Sequence, residues 1–457
     1  MKNLFKILLS CFVISAMVLS VEARPVKINY KLENLIQSST LNKSATVAVS
    51  VKEAKTGVSV YENNQDKLLH PASTLKLFTT AAAIDALGKD YSFKTQMYID
   101  KNNDLYIKLG ADPLLTSLEL KTLVKALRAN DCKVLRNVYL DDSIVDSDEW
   151  GTGWMWDDDV SPFMPKYSAY NLDGNLFRVN LSKNVNGTSA NVSISGSYPV
   201  AILNKITIGA KNDVKVKRQN WLTPDVLELT GCINSDTSVE IPINNMRRYF
   251  IYKLNEFFTS YNIKCQSEDI QSKLTPKDAK LIAEISHSNM MVLPLIYANS
   301  NNMAAESFAK VASGKVFGAT GTTDCSVKMF DEYFKRIGTD TSSISVVDMS
   351  GVSRNNLLTT SWMTDALSKM YIADSFPYLQ QNLAQPGDGT LSSRLLDLRG
   401  EAWLKTGSIA NISGLTGYVK AQNGKTYAVA ILIQNFKVSQ KEVKTFEDDI
   451  IKLIYSR

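Results

Sequence analysis

Histidine is nearly absent: His70 and His287 are the only two in 457 residues. So small a supply excludes a histidine-rich metal site and leaves a Ser-His-Asp hydrolase little to build on. Cysteine is also sparse, five in all and with no Cys-x-x-Cys spacing, which removes zinc-ribbon and thioredoxin-like readings. Strong charge of one sign is missing as well. Lys and Arg number 51 against 46 Asp and Glu, and the net +5 is spread without a run, which excludes a nucleic-acid binder working through a basic face. Repeats and low-complexity tracts are absent. With 44% hydrophobic and 21% charged residues the chain is an ordinary globular one, too long for a single typical domain. Any catalysis here runs without histidine, and no metal or cofactor is expected.

The one sustained apolar run lies at the start. Lys2 and Lys6 precede Ile7 to Leu19, and Val21-Glu22-Ala23 closes the run with a small-x-small cleavage pattern. That core is short for a membrane span, so residues 1–23 read as a cleavable signal peptide and the protein as exported, at most peripheral to a membrane. Cys11 sits inside the apolar run, away from any lipid-attachment position. Four cysteines remain beyond it: Cys132, Cys232, Cys265 and Cys325. In an oxidising compartment they permit one or two disulfides among three pairings, and four buried thiols are the alternative.

Further along, Ala45–Val51 and Val58–Tyr61 flank Lys55-Thr56-Gly57 as a β-hairpin, and an apolar helix from Pro71 to Leu87 ends at Gly88. From Ser92 to Pro242 the texture becomes short strand-like runs and turns. Helical periodicity returns over Met246–Tyr261, Leu281–Ile285, Met303–Val311 and Ser326–Ile337. A second hairpin, Gly414–Ala421 and Thr426–Gln434, turns at Asn423-Gly424, and a last helix spans Lys441–Tyr455. Strands at both ends, helices between them and a β-rich interruption describe one α/β (α+β) domain split by an insertion.

Within Pro71-Ala72-Ser73-Thr74-Leu75-Lys76, the hydroxyl of Ser73 and the amine of Lys76 lie one helical turn apart. Serine needs a base to become a nucleophile, and lysine can serve once burial favours its neutral form. Leu75, Leu77, Phe78, Ala81 and Ala82 supply that burial, and the free N–H of Ser73 at the helix start can face an oxyanion. By itself Ser-x-x-Lys is a weak signal, since Ser307–Lys310 matches it too. Two further elements sharpen it. Ser300-Asn301-Asn302 offers a hydroxyl to relay a proton and an amide to hold a substrate amide. Lys405-Thr406-Gly407-Ser408, after apolar Ala402-Trp403-Leu404, offers a fixed cation, a hydroxyl for a carboxylate, close backbone approach and a second oxyanion N–H. Ser-x-Asn and Lys-Thr-Gly also recur elsewhere, but only one ordered set has a helix start, a loop before a helix and a late strand.

That set belongs to the penicillin-recognising serine acyl-transferases. The chain resembles their D-alanyl-D-alanine carboxypeptidase/endopeptidase family, the class C low-molecular-mass penicillin-binding proteins of the penicillin-binding protein 4 type, peptidase family S13. Gly110-Ala111-Asp112-Pro113-Leu114, Asp348-Met349-Ser350-Gly351-Val352-Ser353-Arg354 and Pro386-Gly387-Asp388-Gly389-Thr390-Leu391 extend the likeness, with Met349, Val352 and a shifted glycine as departures. The resemblance implies a serine β-lactamase/transpeptidase-like domain, an antiparallel sheet with helices on its faces, made of residues 24–90 and 285–457 and split by residues 91–284.

It also implies an acyl-enzyme on Ser73, with Lys76 as base, Ser300 and Asn302 assisting, and Lys405 and Thr406 on the terminal carboxylate. Gly407 would allow close approach, and Ser408 would complete the oxyanion pocket. Substrates would be peptidoglycan stem peptides ending in D-Ala-D-Ala and their cross-links, inhibitors the β-lactams, and the compartment the periplasm. Asp158, within Trp156-Asp157-Asp158-Asp159, and Arg354 would contact the stem peptide's side chain. His70 reads as packing beside the helix start, and Trp150, Trp154, Trp156 and Phe163 read as core. Three rivals are weaker. A serine β-lactamase would be shorter and would carry its own deacylating Glu motif. A silent peptidoglycan-binding relative would have lost Ser73, Lys76 or Lys405, and a generic binding module leaves the ordered set to chance.

Overall fold

The structure, a computed structural model, describes residues 30–184, 187–196, 198–218 and 225–457. The expected signal peptide lies outside the described residues.

Two distant parts of the chain build the principal sheet. Its strand order is Ala402–Ile409, Ile412–Lys420, Thr426–Gln434, Thr46–Glu53, Ser59–Asn63, all antiparallel. The first strand of the chain thus pairs with the last, Thr46 opposite Gln434. Alternation along these strands sorts the side chains between two layers. Val47, Val49, Val51, Val429, Ile431 and Ile433 face a layer formed by helices Tyr30–Ser38 and Gln440–Tyr455. Ala48, Ala428, Ala430 and Leu432 face the opposite core, where their small side chains let helix Thr360–Tyr371 pack closely. Ser50 Oγ meets Thr364 Oγ1 at 2.7 Å there, so both buried hydroxyls are partnered.

In that second core lies the helix Leu75–Leu87, which continues a 3₁₀ turn Ala72–Thr74. It is apolar on almost every side, as a fully enclosed helix must be, and Gly88 closes it at φ 82°. Helices Asn302–Phe317 and Thr323–Arg336 pack on it, and Phe78 lies edge-on to Trp362 at 5.3 Å.

Every named strand between Ser92 and Ser288 pairs within that stretch. One mixed sheet runs Ile270–Ser272, Val138–Asp141, Leu105–Lys108, Ser92–Ile99, Lys280–Ser288, and two three-stranded sheets and a short parallel pair complete it. Two readings of the sequence need revision here. Leu281–Ile285 is strand, because residues 281 and 285 are in phase with both a helical and a two-residue repeat, and pairing with Ser92–Ile99 decides the matter. Ser117–Ala129 is helix within the expected β texture, started by a reciprocal Thr116/Glu119 capping box and burying Leu120, Leu123, Val124 and Leu127. The four described cysteines are free thiols, partly exposed rather than buried.

Behind the sheet, Glu447 of the last helix is fully buried, accepting from Ser413 Oγ at 2.6 Å and from Arg394 at 2.9 Å. Burial raises its carboxyl above the usual range, and Arg394 works in the opposite direction. Removing the guanidinium strands a buried carboxylate. Arg394→Met should therefore lower unfolding free energy by about 3–5 kcal/mol, read from urea denaturation.

Candidate active site

The site assembles where the 3₁₀ turn Ala72–Thr74 meets strand Ala402–Ile409 and the two loops that precede helix Asn302–Phe317 and follow Val347. The turn is held under strain. Ala72 adopts φ 48°, an uncommon conformation for a residue with a Cβ. Its N–H donates to His70 Nδ1 at 3.1 Å, and His70 Nε2 reaches the Ser353 carbonyl at 2.7 Å. Burial holds the imidazole below its ordinary value, so His70 acts as a neutral bracket for the turn, packed beside the helix start as expected. Two glycines let backbone close around it. A Cβ on Gly351, at φ 81°, would lie 2.0 Å from the Ala72 carbonyl oxygen, and one on Gly407 would crowd Pro71 and Thr74.

Lys76 is fully buried and makes three contacts: Ser73 Oγ at 2.8 Å, Asn302 Oδ1 at 2.6 Å and the Ser350 carbonyl at 2.6 Å. Burial lowers its amine to about 7, against the opposing charges of Asp348 and Glu306. Such an amine can take a proton from a hydroxyl at neutral pH.

Ser300 and Lys405 form a second pair, Nζ to Oγ 2.9 Å, and Lys405 also donates to the Thr406 carbonyl at 2.9 Å. Ser300 sits at φ 59°, between helix Asn289–Tyr297 and the Asn301 cap of the next helix. Burial first, then the nearby Lys76, depress Lys405 well below the ordinary lysine range. Among the described residues no carboxylate lies within ion-pairing distance of it. Thr406 Oγ1 lies 2.7 Å from Thr390 Oγ1. Lys405 and Thr406 stand on the outermost strand of the sheet, so one side of their backbone has no strand neighbour.

A cavity of about 190 Å³ opens in front of the turn, lined by Ser73, Asn302, Asp158, Arg354 and Ser408 together with Met155, Ser161, Phe163, Met164, Val352 and Ile409. Asp158 and Arg354 thus share the cavity wall with Ser73, Asp158 half-buried on the turn Trp156–Asp158 and Arg354 exposed. Burial raises the Asp158 carboxyl, Asp157 adds to this, and Arg354 opposes it. Asn302 is engaged at both ends of its amide, through Lys76 and through the Phe163 carbonyl at 2.7 Å. The aromatic group divides. Trp154 is buried, edge-on to Trp150 at 5.0 Å, whereas Trp156 (85% exposed) and Phe163 (76% exposed) stand in solvent. Their expected core position is incorrect, since the short turns that carry them leave both side chains largely exposed.

Sequence reasoning missed the support behind these groups. Asp348 is fully buried and accepts five hydrogen bonds, from the N–H groups of Gly351, Val352 and Ser353, from Asn356 and from the Trp154 indole. Glu306, also fully buried, holds the N–H groups of Met349 and Ser350. A signal for it existed, since residue 306 shares a helix face with Asn302 one turn earlier. The decoy Ser307/Lys310 is tied elsewhere, Ser307 to Asn171 and Lys310 to Asp146.

The family described as "D-Ala-D-Ala carboxypeptidase 3 (S13)" matches residues 28–456, and the chain belongs to it. It is 25% identical over 441 residues to the D-alanyl-D-alanine carboxypeptidase of Actinomadura sp. (strain R39), a match covering 88% of this chain and 80% of that one. Its fold is that of the crystal structure of penicillin-binding protein 4 from Haemophilus influenzae, with a TM-score of 0.82, 21% identity, and coverage of 94% and 100% of the two chains. A second structure of that Haemophilus protein, complexed with a novel β-lactam, matches with a TM-score of 0.77 at 20% identity, covering 93% of this chain and 100% of that one.

Gly351→Ala should destabilise the protein by more than about 2 kcal/mol, because both the positive φ and the Ala72 carbonyl oppose a Cβ. A melting temperature equal to the parent's would show that the turn has slack.

Proposed function

We propose that this serine-type D-Ala-D-Ala carboxypeptidase/endopeptidase works through an acyl-enzyme on Ser73. The contact of 2.8 Å between Ser73 Oγ and the buried, weakened amine of Lys76 carries the reading. Ser73 Oγ attacks the carbonyl carbon of the penultimate D-alanine of a stem peptide while Lys76 takes the hydroxyl proton. The N–H groups of Ser73 and Ser408 receive the oxyanion. As the C–N bond breaks, the proton passes by way of Lys76 and Ser300 to the leaving D-alanine amine. Water then cleaves the ester, returning Ser73 and releasing the shortened peptide as a carboxylate.

Lys405 and Thr406 take the substrate's terminal carboxylate, with Gly407 giving backbone clearance. That carboxylate brings the counter-charge Lys405 lacks and favours its ammonium form. Asn302 keeps Lys76 in line and faces the cavity for the substrate's amide side. Asp158 and Arg354, of opposite charge on one wall, fit a stem-peptide side chain bearing both an amine and a carboxylate. A β-lactam enters as a mimic of the D-Ala-D-Ala end and stays as an ester on Ser73. Residues up to about 90 and those after Ser288 form the catalytic domain and the stretch between them the insertion, since strand Lys280–Ser288 runs across the expected 284/285 boundary and pairs with Ser92–Ile99. The leader 1–23 supports export, with the periplasm as the working compartment.

Intact-mass spectrometry after brief exposure to benzylpenicillin should find a lasting penicilloyl adduct on the wild type and none on Ser73→Ala, which should also release no D-alanine. An adduct on Ser73→Ala overturns the nucleophile, and rapid penicillin consumption favours a β-lactamase. With Lys76 as base, acylation should climb about tenfold per pH unit below pH 7 and level above it. A rate flat from pH 5 to 9 would exclude Lys76 as the titrating group.

A further inference from the structure

The fully buried carboxyl group of Glu306 lies within electrostatic reach of Lys76. It projects from helix Asn302–Phe317, four residues after Asn302, which itself touches Lys76. One carboxylate oxygen, Oε1, accepts from the N–H of Met349 at 3.0 Å and of Ser350 at 2.8 Å. The same stretch turns its carbonyls to the nucleophile helix: Ser350 O accepts from Lys76 Nζ at 2.6 Å, and Met349 O from Thr79 Oγ1 at 2.7 Å. One carboxyl group therefore fixes the peptide that anchors the amine, and stands close enough for its charge to act on that amine.

We propose that Glu306 is a positioning residue of acylation: it holds the Met349–Ser350 backbone so that the Ser350 carbonyl fixes Lys76 beside Ser73. This rests on Lys76 being the base. The groups facing Glu306 are Lys76 on the nucleophile helix, Asp348 on the following loop and Tyr167 on the loop before Asn171. Lys310 lies one turn on along its own helix, and Lys76 in turn acts on Lys405. Burial, with the charge of Asp348 adding to it, raises the Glu306 carboxyl to about 8, while hydrogen bonds from Ser350 and Met349 oppose the rise. Where the acylation limb rises, below pH 7, the raised carboxyl therefore carries little charge, and its part is the hold on the two N–H groups. A purely structural carboxyl would influence stability alone.

The test is the pH profile of benzylpenicillin acylation for wild type, Glu306→Gln, Glu306→Asp and Lys76→Ala. Glutamine keeps an oxygen for the two N–H groups and removes the charge. Glu306 carries little charge below pH 7, so Glu306→Gln should keep the wild-type limb and a rate within about twofold of wild type. Aspartate keeps the charge but withdraws the oxygen by one methylene, so acylation should slow about tenfold or more at every pH, consistent with the cost of misplaced catalytic groups. A Glu306→Asp rate equal to wild type, or a Glu306→Gln rate as low as that of Glu306→Asp, overturns the proposal. Should Glu306→Gln fail to fold, Glu306→Asp decides: an undiminished rate overturns it. Acylation surviving in Lys76→Ala would instead mean that the base is misassigned. Lys76→Ala inactive together with an undiminished Glu306→Asp rate would mean that only this inference fails.

Discussion

Much of the site follows from the burial of one amine. Lys76 lies out of water, among the described residues with no carboxylate in direct contact, held by a hydroxyl, a side-chain amide oxygen and a backbone carbonyl. Removing an ammonium from water is expensive, and the protein answers with dipoles at the amine and with the more distant charges of Asp348 and Glu306. The balance leaves Lys76 near neutrality, the condition for a lysine to act as a base. A direct ion pair would keep the proton on the amine and silence it.

That balance needs rigid walls. The helix carrying Lys76 is enclosed by apolar side chains on nearly every side, so it cannot rotate to bring the amine back to solvent. The loop supplying Ser350 is fixed through Asp348, whose carboxylate accepts five hydrogen bonds, and through the Glu306 grip on two N–H groups. Strain is concentrated at Ala72 and Ser300, both at positive φ, the turns that aim Ser73 and the Ser300 hydroxyl. Packing elsewhere stabilises these conformations, notably the His70 bracket and the close approach at Gly351.

The second lysine has a different environment. Lys405 extends from an edge strand, is depressed by burial and by Lys76, and donates to Ser300. The two amines lie close enough for Lys76 to depress Lys405, and among the described residues no carboxylate pairs with Lys405. Thr390 ties the loop that carries it to both neighbours, through its N–H to Ala298 and its hydroxyl to Thr406. The Ser300 loop and the Lys405 strand are thus held in register by a third segment.

Local patterns in the chain determined the hairpins at its two ends, most of its long helices and the pairing of Ser73 with Lys76, because these depend on neighbours a few residues apart. Motif order and resemblance pointed to Ser300, Asn302 and Lys405. Tertiary structure alone decided the rest. Leu281–Ile285 satisfies two periodicities at once, and only its partner strand selects one. Trp154 and Trp156 differ by two positions, yet one is buried and the other stands in water, a difference set by what packs above each. Asn302 reaches Lys76 across 226 positions, and Ser350 does so across 274. The chemistry of Lys76 depends on desolvation, which is a property of everything around the amine, and no stretch of sequence contains those surroundings until the two halves of the domain close around it.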